Sequence, residues 1–470
     1  LIVGAGSAAD LLLRELKKNT ADGYNVLAIV DDNPAKLRCE LHGVRVRGSL
    51  DLIPKLIDKY HIELVIIAMP SANALVVRKV INFCREAAVE SRTMPSLTDL
   101  VNGKVPVGAL REISVEDLLG REQVTLDWEG IGNIIKGQRI LVTGGGGSIG
   151  SELCRQIALL APSHLTIIDN SEFNLYAIDK ELREKFHKLD LTAHLVDVVD
   201  FVAINKVIEK HKPDIVFHAA AYKHVPLVEN QARAATRNNI LGTYNVANAA
   251  AYNAVKKFVL VSTDKAVNPR NIMGATKRAA EIICQSFNGR VSTQFITVRF
   301  GNVLGSTGSV IPLFKEQLQS GQDLTVTDPK ITRYFMTILE ATQLILQATV
   351  LSTEGEIFVL DMGEPIKIKD LAEQMIYLSG KKLGEDANIR YIGLRPGEKL
   401  YEELFYSHEQ LAPTKHVKIR KARYEVVQWN KIPAYINRLE KLCLACEEEK
   451  KFKELLLEMV PEYKPKELVD

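Results

Sequence analysis

The sequence predicts an α/β protein built on two doubly wound parallel sheets, the second carrying a smaller C-terminal substrate-binding lobe. Two observations predict it. An apolar run, a glycine turn and an apolar helical pattern follow one another twice. They do so first at Leu1-Ile2-Val3-Gly4-Ala5-Gly6-Ser7-Ala8-Ala9, and again at Arg139-Ile140-Leu141-Val142-Thr143-Gly144-Gly145-Gly146-Gly147-Ser148-Ile149-Gly150. After the second opening, short apolar runs alternate strictly with helical patterns, as in sheets whose parallel strands are joined by crossover helices. Both openings are of the Rossmann type, strand to glycine turn to helix.

In the first unit a second strand, Val26 to Val30, ends in Asp31-Asp32, and a third runs from Leu64 to Ala68. This predicts a βαβαβ domain of nucleotide-binding type over residues 1–100. Residues 101–135 read as a connector, containing Arg111-Glu112-Ile113 and Val115-Glu116-Asp117-Leu118-Leu119. The catalytic domain is expected over 136–425. Its strands are placed at Arg139–Val142, Leu165–Ile168, Ala193–Val196, Ile215–Ala219, Lys257–Ser262 and Gln294–Arg299. Beyond residue 303 the pattern loosens, as expected of a lobe that covers a substrate. Residues 426–470 read as a charged helical tail.

The 470 residues are 46% hydrophobic and 25% charged, enough apolar material for large cores. The net charge of +2 lacks the basic excess of a protein that lives on nucleic acid, so no nucleic-acid partner is expected. Six scattered cysteines argue for a reducing compartment. Cys443 and Cys446 read as two helix residues one turn apart. A zinc site needs further ligands nearby, and no metal is expected. No apolar run is long enough to span a bilayer. The chain opens inside a strand, which reads as the continuation of a longer polypeptide.

The strongest cofactor signal is Thr143-Gly144-x-x-Gly147-Ser148-Ile149-Gly150. A dinucleotide pyrophosphate must approach backbone N–H groups at a helix N-terminus, where side chains would block it. Asp169 follows the second strand, where an acid binds ribose hydroxyls. A carboxylate there repels a 2′-phosphate, so NAD is favoured over NADP. Gly4-x-Gly6 with Asp31 is a weaker pattern and leaves a nucleotide in the first unit an open question.

Three further strand ends carry polar or small groups, and ligands of open parallel sheets bind at such ends. They are Asp197-Val198, His218-Ala219-Ala220-Ala221 and Ser262-Thr263-Asp264-Lys265. His218 reads equally well as a satisfied core histidine. Met273 and Lys277 lie four apart at the start of the next helical pattern and share one face.

Together these residues resemble the extended short-chain dehydrogenase/reductase superfamily over roughly 137–420, with Arg299-Phe300-Gly301-Asn302-Val303 included. That superfamily has Tyr-x-x-x-Lys where this chain has Met273 and Lys277. The departure narrows the resemblance to the membrane-anchored bacterial UDP-N-acetylglucosamine 4,6-dehydratases of capsule and O-antigen biosynthesis. Also matching are Asn268-Pro269-Arg270-Asn271-Ile272-Met273-Gly274, Gly305-Ser306-x-Gly308-Ser309-Val310-Ile311-Pro312, Thr332-Arg333-Tyr334-Phe335-Met336 and Arg395-Pro396-Gly397-Glu398-Lys399.

The resemblance implies a hydro-lyase with a recycled NAD. Hydride leaves the sugar C4, loss of H5 with the 6-hydroxyl expels water, and hydride returns at C6. It implies Lys265 as base at C5, Asp264 as acid for the departing hydroxyl, Thr263 near the 4-hydroxyl and Lys277 on the nicotinamide ribose. Gly144, Gly147, Ser148, Ile149, Gly150, Asp169, Asp197, Val198, Ala219 and Ala220 would hold the cofactor. Lys223, Asn302, Arg333 and Arg395 would hold the UDP-sugar. Met273 moves no proton, which leaves the base at C4 open; Asp264 through a water is the expected one. The resemblance further implies transmembrane helices ahead of residue 1, an attachment to the cytoplasmic side of the inner membrane, a soluble segment here, and a homo-oligomer. Two other readings stay open: an epimerase or C5-inverting dehydratase on another nucleotide sugar, and an inactive dinucleotide-binding sensor or scaffold.

Overall fold

The computed structural model describes residues 1–18, 24–69, 74–94, 110–113, 117, 125–406, 409–423 and 429–465. The chain divides into two units, Leu1–Gln123 with Glu373–Ala387, and Val124–Ala372 with Asn388–Asp470.

The first unit holds a seven-stranded sheet in the order β3-β4-β2-β1-β5-β6-β7. Its strands are β1 (Ile2–Val3), β2 (Ile29–Val30), β3 (Glu40–Leu41), β4 (Val44–Gly48), β5 (Leu64–Ile67), β6 (Glu90–Thr93) and β7 (Arg111–Glu112). The inner five are parallel, and β3 and β7 close the edges antiparallel. Ile2 and Val3 face opposite sides and are both buried, which is why the opening strand is apolar throughout. The helix Ser7–Lys18 buries Ala8, Ala9, Leu12 and Leu13 against one face. Arg111 and Glu112, read from sequence as connector, form the edge strand β7. Of the other connector stretch, Val115, Glu116, Leu118 and Leu119 lie outside the described residues.

The second unit is a nine-stranded sheet in the order β10-β9-β8-β11-β12-β13-β18-β22-β21. The sequential strands are β8 (Arg139–Thr143), β9 (His164–Asp169), β10 (Leu191–Leu195), β11 (Ile215–His218), β12 (Lys257–Val261) and β13 (Gln294–Arg299). These six are the strands expected from sequence, shifted by at most two residues at either end. All pair in parallel, and the order reverses between β8 and β11. Such a switch point opens a crevice at the strands' carboxyl ends. A smaller lobe follows, with β14 (Asn302–Val303), β15 (Leu324–Val326), β16 (Thr332–Arg333) and β17 (Phe335–Met336). The chain then returns to the main sheet through β18 (Ile357–Leu360) and goes back to the lobe through β19 (Ile366–Lys367) and β20 (Ile389–Tyr391). It ends on the sheet with β21 (Leu411–Pro413) and β22 (Ile419–Ala422), both antiparallel. The lobe is held by the short pairs β14·β17, β15·β20 and β16·β19.

The tail forms two helices, Ile432–Leu444 and Glu449–Met459. Ile436, Leu439, Phe452, Leu455 and Leu456 join the same core as Phe258 and Phe295 of β12 and β13. They are therefore an integral layer of the unit. Cys443 ends buried in the first of these helices. Cys446 lies past its end, at φ 47°, so the two cysteines do not share a helix face.

Beneath the carboxyl ends of β12 and β13 sits an ion network whose centre, Arg299 with Glu281, is fully buried. Arg299 donates to both oxygens of Glu281 at 2.8 and 2.7 Å and to both oxygens of Glu409 at 2.9 Å. Arg278 adds a contact to Glu281 at 3.1 Å and reaches Glu462 at 3.2 Å. Burial alone would raise the Glu281 carboxyl, but Arg299 and Arg278 hold it down at about 2. Removing one partner of such a pair leaves the other charge buried and uncompensated. Arg299→Met is expected to cost about 3–5 kcal/mol, read as a lowered urea midpoint. An unchanged midpoint would show that Glu281 and Glu409 find other partners.

Candidate active site

The glycine turn is shaped by close backbone approach. Gly144 has φ +64°, and a Cβ on it would lie 2.7 Å from the Ala220 backbone. A Cβ on Gly150 would lie 2.0 Å from the Gly144 carbonyl oxygen. Both are therefore fixed by the fold itself. Gly147 differs: it caps the helix Ser148–Leu159 at φ −73°, and its Cβ would meet only the Gly144 carbonyl oxygen, at 3.3 Å. It faces an open cleft of about 190 Å³ at the switch point. That cleft is lined by Gly144, Gly147, Asp169, Val198, Ala219, Ala220 and Ala221, all in stretches singled out from sequence for ligand binding, and by Asn170, Ser171, Asn174, Val196, Tyr222 and Asn238, which were not.

Asp169 does more than face the cleft. One carboxylate oxygen accepts from Gly146 N–H and the other from Ser171 N–H, both at 2.9 Å. The first unit repeats this device: Asp31 accepts from Ala5 N–H at 2.7 Å and Asn33 N–H at 2.8 Å. There Lys36 adds a third contact at 3.0 Å, and together these bonds outweigh burial and hold the Asp31 carboxyl below its ordinary value. In both units the acid after the second strand closes the glycine turn. Asp197 lies outside the cleft lining; it accepts from Val199 N–H at 3.0 Å and faces Arg237 at 3.6 Å. Ser148 Oγ accepts from Thr307 N–H at 3.3 Å.

Residues 237–241 form a π-helical turn, a geometry frequent at functional sites. It carries Asn238 to the cleft and lets Asn239 grip Tyr222. Asn239 accepts from Tyr222 N–H at 2.7 Å and donates to its carbonyl at 3.0 Å.

His218 is the satisfied core histidine. It is fully buried, with Nδ1 2.7 Å from Thr143 Oγ1 and Nε2 3.0 Å from Thr243 Oγ1. Burial, helped by the nearby Lys277 charge, pulls it down to about 3. A histidine with an ordinary value of 6.5 in the unfolded chain then binds a proton that the folded one refuses. Its contribution to stability is present above pH 6.5 and is lost as pH falls toward 3. The unfolding free energy from urea titration is expected to stay nearly level from pH 6.5 to about 8 and to fall below pH 6.5, by on the order of 1 kcal/mol per pH unit. His211, pulled down to about 4 by burial and by His164 and His194, acts in the same direction.

At the end of β12, Thr263, Asp264 and Lys265 enter a tight turn. Asp264 is fully buried; Oδ1 accepts from Thr263 Oγ1 at 2.9 Å and from Lys265 Nζ at 3.0 Å, and Oδ2 has no partner among the described residues. Lys265 Nζ also donates to Asn302 Oδ1 at 2.9 Å. The structure adds Glu402, which sequence reading missed. It is buried, with Oε1 3.8 Å from Lys265 Nζ and 3.7 Å from Arg333 Nε. Burial lowers the Lys265 ammonium, but Asp264 and Glu402 outweigh it and hold it above its ordinary value. Burial and Asp264 push the Glu402 carboxyl up. Arg333 is further tied to Glu398 at 3.2 Å. The expected Thr263, Asp264, Lys265, Asn302 and Arg333 thus come together, while Lys223 and Arg395 are exposed outside this bonded cluster.

The helix Ile272–Phe287 closes on this turn. Asn271 caps it, accepting from Gly274 N–H at 2.8 Å, and a Cβ on Gly274 would lie 2.2 Å from the Lys265 carbonyl oxygen. Glycine alone permits that approach. Met273 is buried at the helix start, and Lys277 donates to the Val261 carbonyl at 2.8 Å. Burial lowers Lys277 to about 8 against the pull of Glu281.

A parallel sheet of this order, a glycine turn at its switch point and a buried acid–lysine pair beside it define a Rossmann-type α/β protein with an enzyme-like cleft. The chain belongs to the polysaccharide biosynthesis protein family, whose model matches residues 140–424. A CoA-binding domain model matches residues 1–95. The chain is 47% identical over 412 residues to the capsular polysaccharide biosynthesis protein CapD of Staphylococcus aureus, covering 87% of this chain and 69% of that protein. It is 45% identical over 423 residues to the probable polysaccharide biosynthesis protein EpsC of Bacillus subtilis, covering 89% and 70%. Among solved structures, Pen from Bacillus thuringiensis matches with a TM-score of 0.56 and 34% identity, over 65% of this chain and 99% of that one.

Proposed function

We propose that the chain carries out NAD-dependent 4,6-dehydration of UDP-N-acetylglucosamine to a UDP-4-keto-6-deoxy sugar for bacterial polysaccharide biosynthesis. The observation that carries this reading is the preformed Thr263–Asp264–Lys265–Asn302 cluster at a strand end of the cofactor sheet, with Met273 where an epimerase needs a tyrosine. Family membership in polysaccharide biosynthesis supports the substrate class.

The cleft suits NAD. Gly147 leaves room for a pyrophosphate at a helix N-terminus, and the Asp169 carboxylate disfavours a 2′-phosphate. Gly144, Gly147, Val198, Ala219, Ala220 and Asp169 would hold the dinucleotide, with Lys277 toward its nicotinamide ribose. NAD bound there supplies a hydride acceptor and donor. The protein's own part is acid–base chemistry: Asp264 protonates the departing 6-hydroxyl, Lys265 takes the C5 proton, and Asn302 holds the lysine in place. Arg333 and Arg395 are assigned to the diphosphate, which their forked donors suit. Among the described residues no helix is long and apolar enough to cross a membrane. Attachment to the cytoplasmic face of the inner membrane through a preceding segment, and assembly into a homo-oligomer, belong to the same proposal.

Incubation with UDP-N-acetylglucosamine, followed by NMR, tests the reading. A 4-keto-6-deoxy product is expected, and its C5 configuration separates retention from inversion. NAD binding without any keto product would instead favour the sensor or scaffold reading.

A further inference from the structure

We propose that Glu402 is the proton store of this site: it receives the ammonium proton of Lys265 and thereby frees Lys265 to accept the C5 proton of the bound sugar. The inference rests on the dehydratase reading and deepens it.

Three observations lead to it. First, Lys265 sits between two buried carboxylates and is an ammonium in the resting geometry, so it has no lone pair with which to act as a base. Its proton must go somewhere before the C5–H bond can break. Second, Asp264 is spoken for. Its Oδ1 already accepts from Thr263 and Lys265, and its unpartnered Oδ2 is needed for the proton that passes from the 4-hydroxyl to the departing 6-hydroxyl. Third, Glu402 is a carboxylate with capacity to spare. Its side chain is 3% exposed, and Oε2 has no partner among the described residues. An ammonium has three donors. Two of those on Lys265 are used on Asp264 and Asn302, and the third has Glu402 at 3.8 Å, a short side-chain movement from a hydrogen bond.

The charges around Glu402 are Lys265, Asp264, Arg333 and Lys399. The cations keep an ionised Glu402 tolerable in the resting state. Burial and Asp264 raise its proton affinity, so a proton placed there is held. The ledger balances. The N–H bond of Lys265 breaks and an O–H bond forms on Glu402. Asp264, ionised at rest, first takes the 4-hydroxyl proton through a water as C4 is oxidised. The C5–H bond then breaks, its proton goes to the Lys265 nitrogen and its electron pair becomes the C5–C6 double bond, while the C6–O bond breaks and the hydroxide leaves as water with the proton held on Asp264. When C5 is reprotonated from Lys265, the lysine retrieves its own proton from Glu402.

This makes a specific forecast for the pH dependence of the full chain. An internal transfer neither consumes nor releases a solvent proton, so the wild-type rate is level across neutral pH. In Glu402→Gln the Lys265 proton must leave to solvent. The rate at neutral pH then falls by about a hundredfold and climbs by about tenfold per pH unit above it, with KM essentially unchanged. Glu402→Asp, which keeps the carboxylate on a shorter stem, restores part of the rate and the level profile. A second readout does not depend on turnover. Acylation of Lys265 by a small amine-specific reagent, followed by peptide mass spectrometry, sets in at lower pH in Glu402→Gln, because a negative charge that favoured the ammonium is gone. A level profile at the wild-type rate in Glu402→Gln, or an unmoved acylation midpoint, overturns the proton store. A wild-type protein that makes no keto product, while the acylation midpoint still moves, overturns the dehydratase reading and leaves only the charge pairing.

Discussion

Asp264→Asn and Lys265→Ala are each expected to lower turnover by about 10²–10⁴-fold while leaving NAD bound. The two side chains lie 3.0 Å apart at the carboxyl end of β12, in a turn whose neighbours are buried. Elimination across C5–C6 needs a base for a weak carbon acid and an acid for a poor leaving group, and these are the groups that offer both. Asparagine keeps the shape of Asp264 and its bond from Thr263, so lost turnover reports lost proton chemistry. Met273→Ala should do much less, since a buried thioether moves no proton. In Lys265→Ala, oxidation at C4 should persist and be visible as reduced cofactor absorbance. Full dehydratase activity in both variants would mean the catalytic pair lies elsewhere.

Gly147→Val is expected to abolish NAD binding in a protein that still folds. The neighbouring glycines cannot make this distinction. A side chain on Gly144 or Gly150 would collide with backbone at 2.7 or 2.0 Å, so the loss of binding there would follow from loss of the turn. At Gly147 the backbone angles suit any residue, and the nearest atom to an added Cβ is 3.3 Å away. The added methyls would project where the pyrophosphate must reach helix N–H groups. Calorimetric titration with NAD, alongside a thermal melt, separates the two outcomes. Unchanged affinity in the folded variant would move the cofactor away from this turn.

Much of this arrangement is legible in the sequence because it is local. Buried parallel strands need continuous apolar runs, and the turn between β8 and its helix needs glycines at fixed spacing, so both leave marks within a few residues. The six strands from Arg139 to Arg299 were placed for that reason. The two-residue strand Arg111–Glu112 was not, since so short a run has no period to read, nor were the partly exposed antiparallel strands β21 and β22. β18, a buried apolar run as long as β11, carries the same mark and was passed over among the mixed elements after residue 303. The site divides in the same way. Asp264 and Lys265 follow directly on a strand end, and Asn302 lies three residues beyond β13. Glu402 reaches Lys265 from 137 positions away, out of a loop with no regular pattern, and nothing near it in the chain announces a buried carboxylate. Asn238 and Asn239 depend on a π-helical turn that periodicity does not encode. His218 could be read as ligand or core, and only its two threonine partners decide it.

The buried ion network has a consequence in time. Arg299 meets Glu409 across 110 positions and Arg278 meets Glu462 across 184, and the last two helices complete the core over β12 and β13. During synthesis the catalytic unit therefore has its glycine turn and its acid–lysine pair long before it has the residues that neutralise the charges beneath them. The first unit waits as well, because Glu373–Ala387 belongs to it. A nascent chain stalled short of Glu462 holds arginines and a glutamate that cannot yet be buried at tolerable cost, so this unit completes its fold only after Glu409 and Glu462 have been made.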